Sequence, residues 1–344
     1  MLRKSSVVDI PQAKIDADCM KEKLQEVTFL RVLAVLMLVA WHSYCTYICW
    51  GLADSPLNIF YTRLFRFLTP DAYMPVFTFI SGYLFYYLMV EKRKYVDFKE
   101  FLKNKINRLL IPYIVLGFTI NMTQIGRQNP LELLVGTPNH LWYCLMLFYC
   151  FIACWLIEMK LTSRYNIIAM CLSFLFVLVV GARNIIRTPL GLWMPIYYYG
   201  YFYMGFLVFK HKEKIMIVVK KYWYLLLAIY IISIIWSFNS HFLLFTTLTF
   251  TLMLYVIGTM VKNSRGGVKL LESHWSKEIE KCSFGIYVFH QWIIWNVTRY
   301  PDMSCFMSEH YILFPFLLYI SVFILSYIMT KLSIQTKIGR YLLL

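Results

Sequence analysis

Long apolar runs, separated by short polar segments, recur from the beginning of the chain to its end. Most runs approach 20 residues, the length that an α-helix needs to cross the hydrocarbon core of a bilayer. They predict transmembrane helices at residues 28–49, 72–90, 108–123, 140–157, 166–182, 193–209, 217–236, 241–261, 283–298 and 311–330. We therefore expect an all-α fold, a polytopic integral membrane protein of about ten transmembrane helices.

The composition favours burial in lipid over burial in a soluble core. Hydrophobic residues make up 60% of the 344 residues and charged residues 15%, whereas an average soluble domain has about 25% charged residues. The chain divides into a polar N-terminal tail at 1–27, a transmembrane domain at 28–330 and a C-terminal tail at 331–344. The first apolar run starts late and is long enough to span the bilayer, which argues against a cleaved signal peptide.

The positive charge of the chain follows the predicted topology. A formal net charge of +16 is also typical of nucleic-acid-binding proteins. With the N-terminus in the cytoplasm, however, 28 of the 34 Lys and Arg residues fall in cytoplasmic segments and 6 on the opposite side. This bias is the positive-inside rule. It predicts that both termini are cytoplasmic and that the partner is the lipid bilayer, with no nucleic acid.

The cysteines predict neither a metal site nor a disulfide framework. There are nine of them, an odd number, and the sequence contains no CxxC pair, the spacing that metal-binding and redox cysteines commonly show. Several cysteines lie inside the predicted helices.

Two ionisable residues of the first predicted helix carry the sharpest functional signal. Arg31 and His42 are eleven residues apart, a spacing that returns to nearly the same helix face about 16 Å further along the axis. The topology puts Arg31 near the cytoplasmic surface and His42 in the outer half of the membrane. Ionisable groups at such depth are functional hypotheses by default. The alternative is that Arg31 snorkels as a topology anchor and His42 bonds a neighbouring helix.

Polar residues also stand in the second and third predicted helices. Lys105 and Arg108 are three residues apart where the third helix leaves the cytoplasm, so they are expected to share a face and could hold the phosphates of a nucleotide-bearing donor. The alternative is an ordinary positive-inside flank. In the second helix, Ser81, Gly82 and Tyr83 stand together, and small residues there allow close helix packing, the interpretation favoured for Gly82.

Two further groups lie in later helices. His140 and Trp142 stand at the outer mouth of the fourth helix, where they could belong to an interfacial aromatic belt or line an acceptor cleft. Ser283, Tyr287 and His290 form one stripe of hydrogen-bonding groups on the ninth helix. A polar stripe in a spanning helix must face protein or a cavity.

In this order and spacing, the motifs resemble the acyltransferase-3 family of membrane-bound acyltransferases, which modify bacterial surface glycans. The resemblance covers most of the chain. It comprises Arg31 with His42, Pro75 to Tyr83, Lys105 with Arg108, His140 with Trp142, Tyr201 to Gly205, and Ser283 with Tyr287 and His290. Two arginines usually begin the third helix in the family. Here the first of them is Lys105, which keeps the charge but loses bidentate geometry.

The resemblance implies transfer of an acyl group, usually acetyl, from cytoplasmic acyl-CoA to a hydroxyl of a carbohydrate on the other side of a bacterial cell membrane. Acyl-CoA is then a co-substrate, and no cofactor is expected to be bound permanently. Arg31, Lys105 and Arg108 are expected to bind the donor, and a neutral His42 to act as general base or to be acylated itself. The residues expected to contact or position the acceptor are Ser81, Tyr83, His140, Trp142, Tyr201, Tyr287 and His290.

Two other classes of membrane protein compete with the enzyme. A transporter or exporter of glycan would also need polar residues along a membrane path, but the sequence shows no inverted repeat and no broken helices in matching halves. A purely structural role would not explain why Arg31 and His42 lie on the same face of one helix. The sequence leaves open the identity of the acceptor glycan, the length of the acyl chain and the oligomeric state.

Overall fold

The computed structural model describes residues 24–69, 71–125, 139–181, 188–236 and 242–344. Helices make up 85% of it, and these ranges contain no β-strand. Two short π-helical turns, Tyr87–Glu91 and Ile106–Leu110, continue α-helices. The α-helices are α1 (Gln25–Ile48), α2 (Asn58–Leu68), α3 (Tyr73–Tyr86), α4 (Phe98–Lys105), α5 (Ile111–Thr123), α6 (Trp142–Lys160), α7 (Ser163–Val180), α8 (Met194–Lys210), α9 (Lys212–Trp236), α10 (Leu243–Lys262), α11 (Arg265–Glu272), α12 (His274–Thr298), α13 (Met303–Glu309), α14 (Leu313–Ser333) and α15 (Lys337–Leu343).

The all-α, polytopic membrane fold is confirmed. Every predicted segment coincides with an α-helix, and within the described ranges eight helical segments are long and apolar enough to cross a membrane. These segments are Gln25–Ile48, Asn58–Glu91, Phe98–Thr123, Trp142–Lys160, Ser163–Val180, Lys212–Ile235, Leu243–Lys262 and Leu313–Ser333. The remaining two predicted segments correspond to α8 and α12, so the number ten stays a prediction, as does the side on which the termini lie.

The two helices that fall short of a membrane span by composition or length are enclosed by other helices. α8 has 17 residues, most of them buried, and it packs against α3 and α7. α12 packs against α1 and α14 and begins at His274, well before the predicted residue 283. Its first turns contain charged residues, so a prediction made from apolar runs starts the helix after them. A helix that faces protein can keep polar residues that lipid would not tolerate.

Glycines bring α3 and α8 into backbone contact. A Cβ atom on Gly82 would lie 1.8 Å from the carbonyl oxygen of Phe202, and one on Gly205 would lie 2.0 Å from that of Phe79. Neither position has room for a side chain. Small residues that let helix backbones approach are typical of helix packing in membranes, and the contact agrees with the packing interpretation of Gly82.

One helix that lines the functional site was missed by the sequence analysis. α2 has 11 residues, too few to span a bilayer, and it falls in a segment predicted as a loop. One side of it is buried at Tyr61, Phe65 and Arg66, whereas Ile59 and Phe60 are exposed. This amphipathic pattern, with apolar residues on both faces, does not stand out beside the longer apolar runs.

The first helix lies at the centre of the bundle. α1 packs against α3, α10, α12 and α14, so Arg31 and His42 both face protein. Arg31 lies near its N-terminal end and His42 near its C-terminal end. The helix therefore carries the two residues to opposite ends of the same packed interior.

Candidate active site

Two cavities meet at Tyr287, a buried residue of α12. The first, which we name the histidine cavity, has a volume of about 530 Å³ and is lined by His42, His140 and Tyr287 among other residues. The second, which we name the cationic cavity, has a volume of about 560 Å³ and is lined by Arg31, Arg108 and Tyr287 among others. Helix α1 supplies Arg31 to one cavity and His42 to the other.

Four basic side chains and one carboxylate line the cationic cavity. The basic residues are Arg31, Arg108, Lys277 and Lys281, and the carboxylate belongs to Glu280. Lys277 and Lys281 are one helical turn apart and share a face of α12. The two lysines fall in a segment predicted only to be cytoplasmic, and no prediction from the sequence covered Glu280. Their position just before the polar stripe of the same helix was the available signal.

Arg31 is paired with Glu280. Its Nη1 lies 3.4 Å from Glu280 Oε1, and Thr28 Oγ1 donates to Glu280 Oε2 at 3.0 Å. The Arg31 side chain is 29% exposed, so part of the guanidinium remains open to the cavity while the carboxylate fixes its direction. A guanidinium held in this way can bind a phosphate with two parallel N–H groups.

Arg108 and Lys105 do not share a face, contrary to the sequence prediction. Lys105 is the last residue of α4, and the following turn, Ile106–Leu110, is π-helical. A π turn has an i→i+5 hydrogen-bond pattern, which changes the rotation per residue and turns the two side chains apart. Arg108 lines the cationic cavity, where its Nη1 donates to a main-chain oxygen of Leu344 at 3.0 Å.

Lys105 lies in a cage of aromatic rings. Its Nζ is 3.5 Å from the centroid of the Phe151 ring and 4.8 Å from that of Tyr95, and the rings of Phe85 and Phe101 lie slightly further away. These are cation–π distances. Lys105 is 7% exposed and lines neither cavity. The structure therefore places the ammonium inside the protein, away from both cavities, and the expected contact of Lys105 with the donor stays a prediction without support from either cavity.

His42 and His290 are in direct contact. His290 Nε2 lies 3.1 Å from His42 Nδ1, and the ring centroids are 4.9 Å apart. His140 joins them, with its ring centroid 5.1 Å from that of His290. The structure thus brings together three histidines that the sequence placed on three separate helices. Among the described residues no cluster of His, Cys, Asp and Glu is arranged as a metal site.

The hydrogen bonds of His290 fix its tautomer. Its Nδ1 donates to the carbonyl oxygen of Tyr287 at 2.7 Å, and a carbonyl oxygen only accepts. A neutral imidazole carries one N–H, so Nε2 of His290 has a lone pair directed at His42. His290 is completely buried, and it therefore presents a fixed acceptor to the His42 ring.

The same reasoning fixes His42. Its Nδ1 lies 3.0 Å from the carbonyl oxygen of Leu38 and also faces the lone pair of His290 Nε2, so Nδ1 carries the hydrogen. Nε2 is then the basic nitrogen. Within the part of the chain that the structure describes, it has no hydrogen-bond partner. His42 lines the histidine cavity, and its free nitrogen is the one that can take a proton from a molecule bound there.

Tyr287 separates the two cavities and is held in place by His140. Its hydroxyl donates to the carbonyl oxygen of His140, and its ring packs edge-on against the His140 ring at 5.1 Å. Ser283, one turn earlier, lines the cationic cavity. The predicted stripe thus faces the interior: Ser283 lines the cationic cavity and Tyr287 lines both cavities. His290 lines neither of them and reaches the histidine cavity only through its contact with His42.

Eight Trp and Tyr side chains line the histidine cavity. Trp142 packs against Tyr198 with ring centroids 5.2 Å apart, and Tyr201 is hydrogen-bonded to Thr247 at 2.5 Å. Arg66 and Asp71, neither of which the sequence analysis considered as a site residue, add a buried basic and an acidic group. The other aromatic residues of the wall are Trp41, Trp50, Tyr73 and Tyr197.

Of the predicted residues in α3, one reaches a cavity and one does not. Ser81 lines the cationic cavity, and its hydroxyl donates to the carbonyl oxygen of Phe77 at 2.9 Å. Tyr83 lines neither cavity. It donates to Glu26 Oε1 at 2.8 Å, and Lys262 pairs with the other oxygen of Glu26 at 2.9 Å. The structure thus places Tyr83 in a contact between helices, away from both cavities, and its expected contact with the acceptor stays a prediction.

Comparison with family models supports the same activity class. The model described as the acyltransferase domain matches residues 24–331, a range that contains nearly all the residues of both cavities. Comparisons with curated proteins and with solved structures find no match. The chain belongs to the acyltransferase-3 family and is a multi-pass membrane acyltransferase.

Proposed function

We propose that the protein transfers an acetyl group from cytoplasmic acetyl-CoA to a hydroxyl of a cell-surface or lipid-linked carbohydrate, in the plasma membrane of a bacterium. One observation carries the proposal: Tyr287 lines both the cationic cavity and the histidine cavity. A donor bound in the first cavity and an acceptor bound in the second would meet at this residue, beside His42.

The charge of the cationic cavity supports an acyl-CoA donor. Its four basic side chains outnumber its single acidic side chain, and CoA carries several phosphate charges. Arg31 and Arg108 offer the planar N–H groups that bind phosphate bidentately, whereas Lys277 and Lys281 act as point charges. The cavity also lies at the end of the bundle that the positive-inside rule assigns to the cytoplasm, where acyl-CoA is made.

The spacing along α1 suits the pantetheine arm of the donor. Arg31 and His42 are separated by about 16 Å along the helix axis. An extended arm, thin enough to pass between packed helices, could reach from phosphates held near Arg31 to the region of Tyr287. The thioester would then lie within reach of His42 while the nucleotide part stays in the cationic cavity.

The wall of the histidine cavity supports a carbohydrate acceptor. Trp and Tyr rings offer large apolar faces together with a polar tip. This combination suits a sugar ring, which has C–H faces and hydroxyl edges. Trp142 and Tyr201 line this wall, and the buried polar groups of Arg66 and Asp71 lie in the same cavity.

In the proposed reaction His42 acts as a general base. Its Nε2 takes the proton of the acceptor hydroxyl while the hydroxyl oxygen attacks the carbonyl carbon of the thioester. The C–S bond of the donor breaks, the C–O bond of the ester forms, and the proton passes from His42 to the CoA thiolate. During this step the Nδ1–H of His42 remains bonded to His290 and to the carbonyl of Leu38, which orients the ring and stabilises the transient imidazolium.

Covalent transfer of label separates this enzyme from a glycan exporter. Membranes that contain the protein are incubated with radiolabelled acetyl-CoA and envelope glycans from the source cells, and the glycans are then isolated. We expect base-labile label in the glycan fraction, which membranes lacking the protein do not produce. Export of glycan without covalent labelling, at normal protein abundance, would contradict the proposal.

A further inference from the structure

Two buried hydrogen-bond acceptors in the histidine cavity lack a donor. His140 Nδ1 and Gln291 Oε1 are enclosed by protein, and neither has a hydrogen-bond partner among the described residues. Both residues line the cavity that contains His42. Buried polar atoms in native proteins are nearly always paired, so each unpaired atom requires an explanation.

The unpaired atom of His140 is a lone pair. His140 Nε2 lies 2.9 Å from the carbonyl oxygen of Val288, and since a carbonyl only accepts, Nε2 carries the hydrogen of the neutral ring. Nδ1 can then only accept a hydrogen bond. His140 is 5% exposed, so the position of this acceptor is fixed by packing and by the Val288 bond.

Together with His42 Nε2, the cavity contains three acceptors that need donors from a ligand. His42 and His140 both pack against His290, and Gln291, the next residue of α12, lines the same cavity. A carboxylate or phosphate oxygen would place a lone pair against a lone pair at each position. Hydroxyl groups donate, and they satisfy all three.

We propose that these acceptors bind two neighbouring hydroxyls of one acceptor molecule, so that the acceptor is recognised as a diol. One hydroxyl donates to His42 Nε2 and is acetylated, while a neighbouring hydroxyl donates to Gln291 Oε1 or His140 Nδ1. Gln291 is then a specificity-determining residue. The inference rests on the proposed acetyl transfer and adds to it the chemistry by which the acceptor is selected.

A pair of small alcohols tests the inference without knowledge of the natural glycan. The full-length protein in detergent is given labelled acetyl-CoA with either cis-1,2-cyclohexanediol or cyclohexanol, and ester formation is measured. We expect the wild-type protein to acetylate the diol at least about tenfold faster than the mono-alcohol, because a missing hydroxyl leaves a buried acceptor unpaired. The ratio of the two rates does not depend on the amount of active protein.

Substitutions of glutamine provide the matched comparison. Gln291→Met removes the acceptor oxygen with little change in size, and we expect the diol preference to fall about tenfold. Gln335→Met makes the same change at an exposed position outside both cavities and should leave the ratio unchanged.

Failure of this inference and failure of the proposed acetyl transfer would give different results. Equal diol preference in the wild type and in Gln291→Met, with ester formed from both alcohols, would overturn the inference while leaving acetyl transfer intact. Absence of acetyl transfer from acetyl-CoA to the two alcohols, to envelope glycans and to water would overturn the proposed function itself, and the inference with it.

Discussion

His290 presents the lone pair of Nε2 to the Nδ1–H of His42 across a distance of 3.1 Å. The two residues are 248 positions apart in the chain and lie on helices that pack against each other. A general base needs a neighbour that fixes its tautomer and the direction of its ring. In this protein that neighbour is a second, neutral imidazole, held in turn by the backbone carbonyl of Tyr287.

The contact predicts that His290 is a positioning residue. His290→Phe removes the acceptor but keeps a ring of similar size, and we expect kcat to fall about 10- to 100-fold while the KM for acetyl-CoA stays within a factor of two. His290→Gln places an amide oxygen near the position of Nε2 and should restore most of the rate. A phenylalanine variant with normal kcat, or a glutamine variant no better than phenylalanine, would contradict the assignment.

The cationic cavity predicts a difference among three basic residues. Arg31→Ala and Arg108→Ala each remove a charge-assisted contact with the donor, and each should raise the KM for acetyl-CoA about 10- to 150-fold. Lys105→Met alters the residue inside the aromatic cage, outside both cavities, and should leave this KM unchanged. Steady-state kinetics with acetyl-CoA varied at saturating acceptor measures all three.

The opposite pattern of KM values would contradict the placement of these three residues relative to the cavity. A normal KM in both arginine variants would return Arg31 and Arg108 to the role of topology anchors. A raised KM in Lys105→Met would show that the cage opens to the donor.

The contact between α3 and α8 predicts a sharp effect on stability. Gly82→Ala places a methyl group where the Phe202 carbonyl oxygen lies, so the helices must move apart, at a cost of about 1–3 kcal/mol. Gly266→Ala is the control, since a Cβ there has no atom within 4 Å. Thermal denaturation in detergent should show a lower Tm for Gly82→Ala and an equal or higher Tm for Gly266→Ala. Equal Tm values in both variants would contradict the close contact.

The predicted topology has a direct test in reporter fusions. A reporter fused after Lys94 should be active on the cytoplasmic side, and one fused after Gln128, which lies outside the described residues, should be active on the opposite side. The reverse result for either fusion would remove Arg31 and Arg108 from the side where acetyl-CoA is available.

The hydropathy pattern was sufficient to predict the transmembrane architecture. The ten apolar runs all became helices, because long apolar segments have no alternative in lipid that satisfies their backbone groups. The pattern did not predict α2, because 11 residues are fewer than a span requires. It also missed the first turns of α12, where the exposed Lys277 and Lys281 continue the helix beyond its apolar part. Local hydropathy does not report which helices are enclosed.

The candidate site was predictable only where a residue was unusual for its membrane depth. Arg31, His42 and His290 stood out because ionisable groups inside a membrane are rare. No such signal marked Glu280, Lys277 and Arg66, because charged residues are common near helix ends. The shared face of Lys105 and Arg108 was predicted from an α-helical spacing, and the turn between them is π-helical. The contact of His42 with His290 depends on the packing of α1 against α12, which no local pattern reports.

The central claim is that His42 is the general base, and the most direct test is the rate of acetyl transfer by His42→Ala. The substitution removes a polar group from an apolar helix, so insertion and abundance should be normal, as they should be for His310→Ala, a change at an exposed histidine outside both cavities. A general base contributes about 10²–10⁴ in rate, and we predict a loss of at least this size in His42→Ala alone. Retention of about half of the wild-type rate would contradict the claim, since that loss is far below the contribution of a general base.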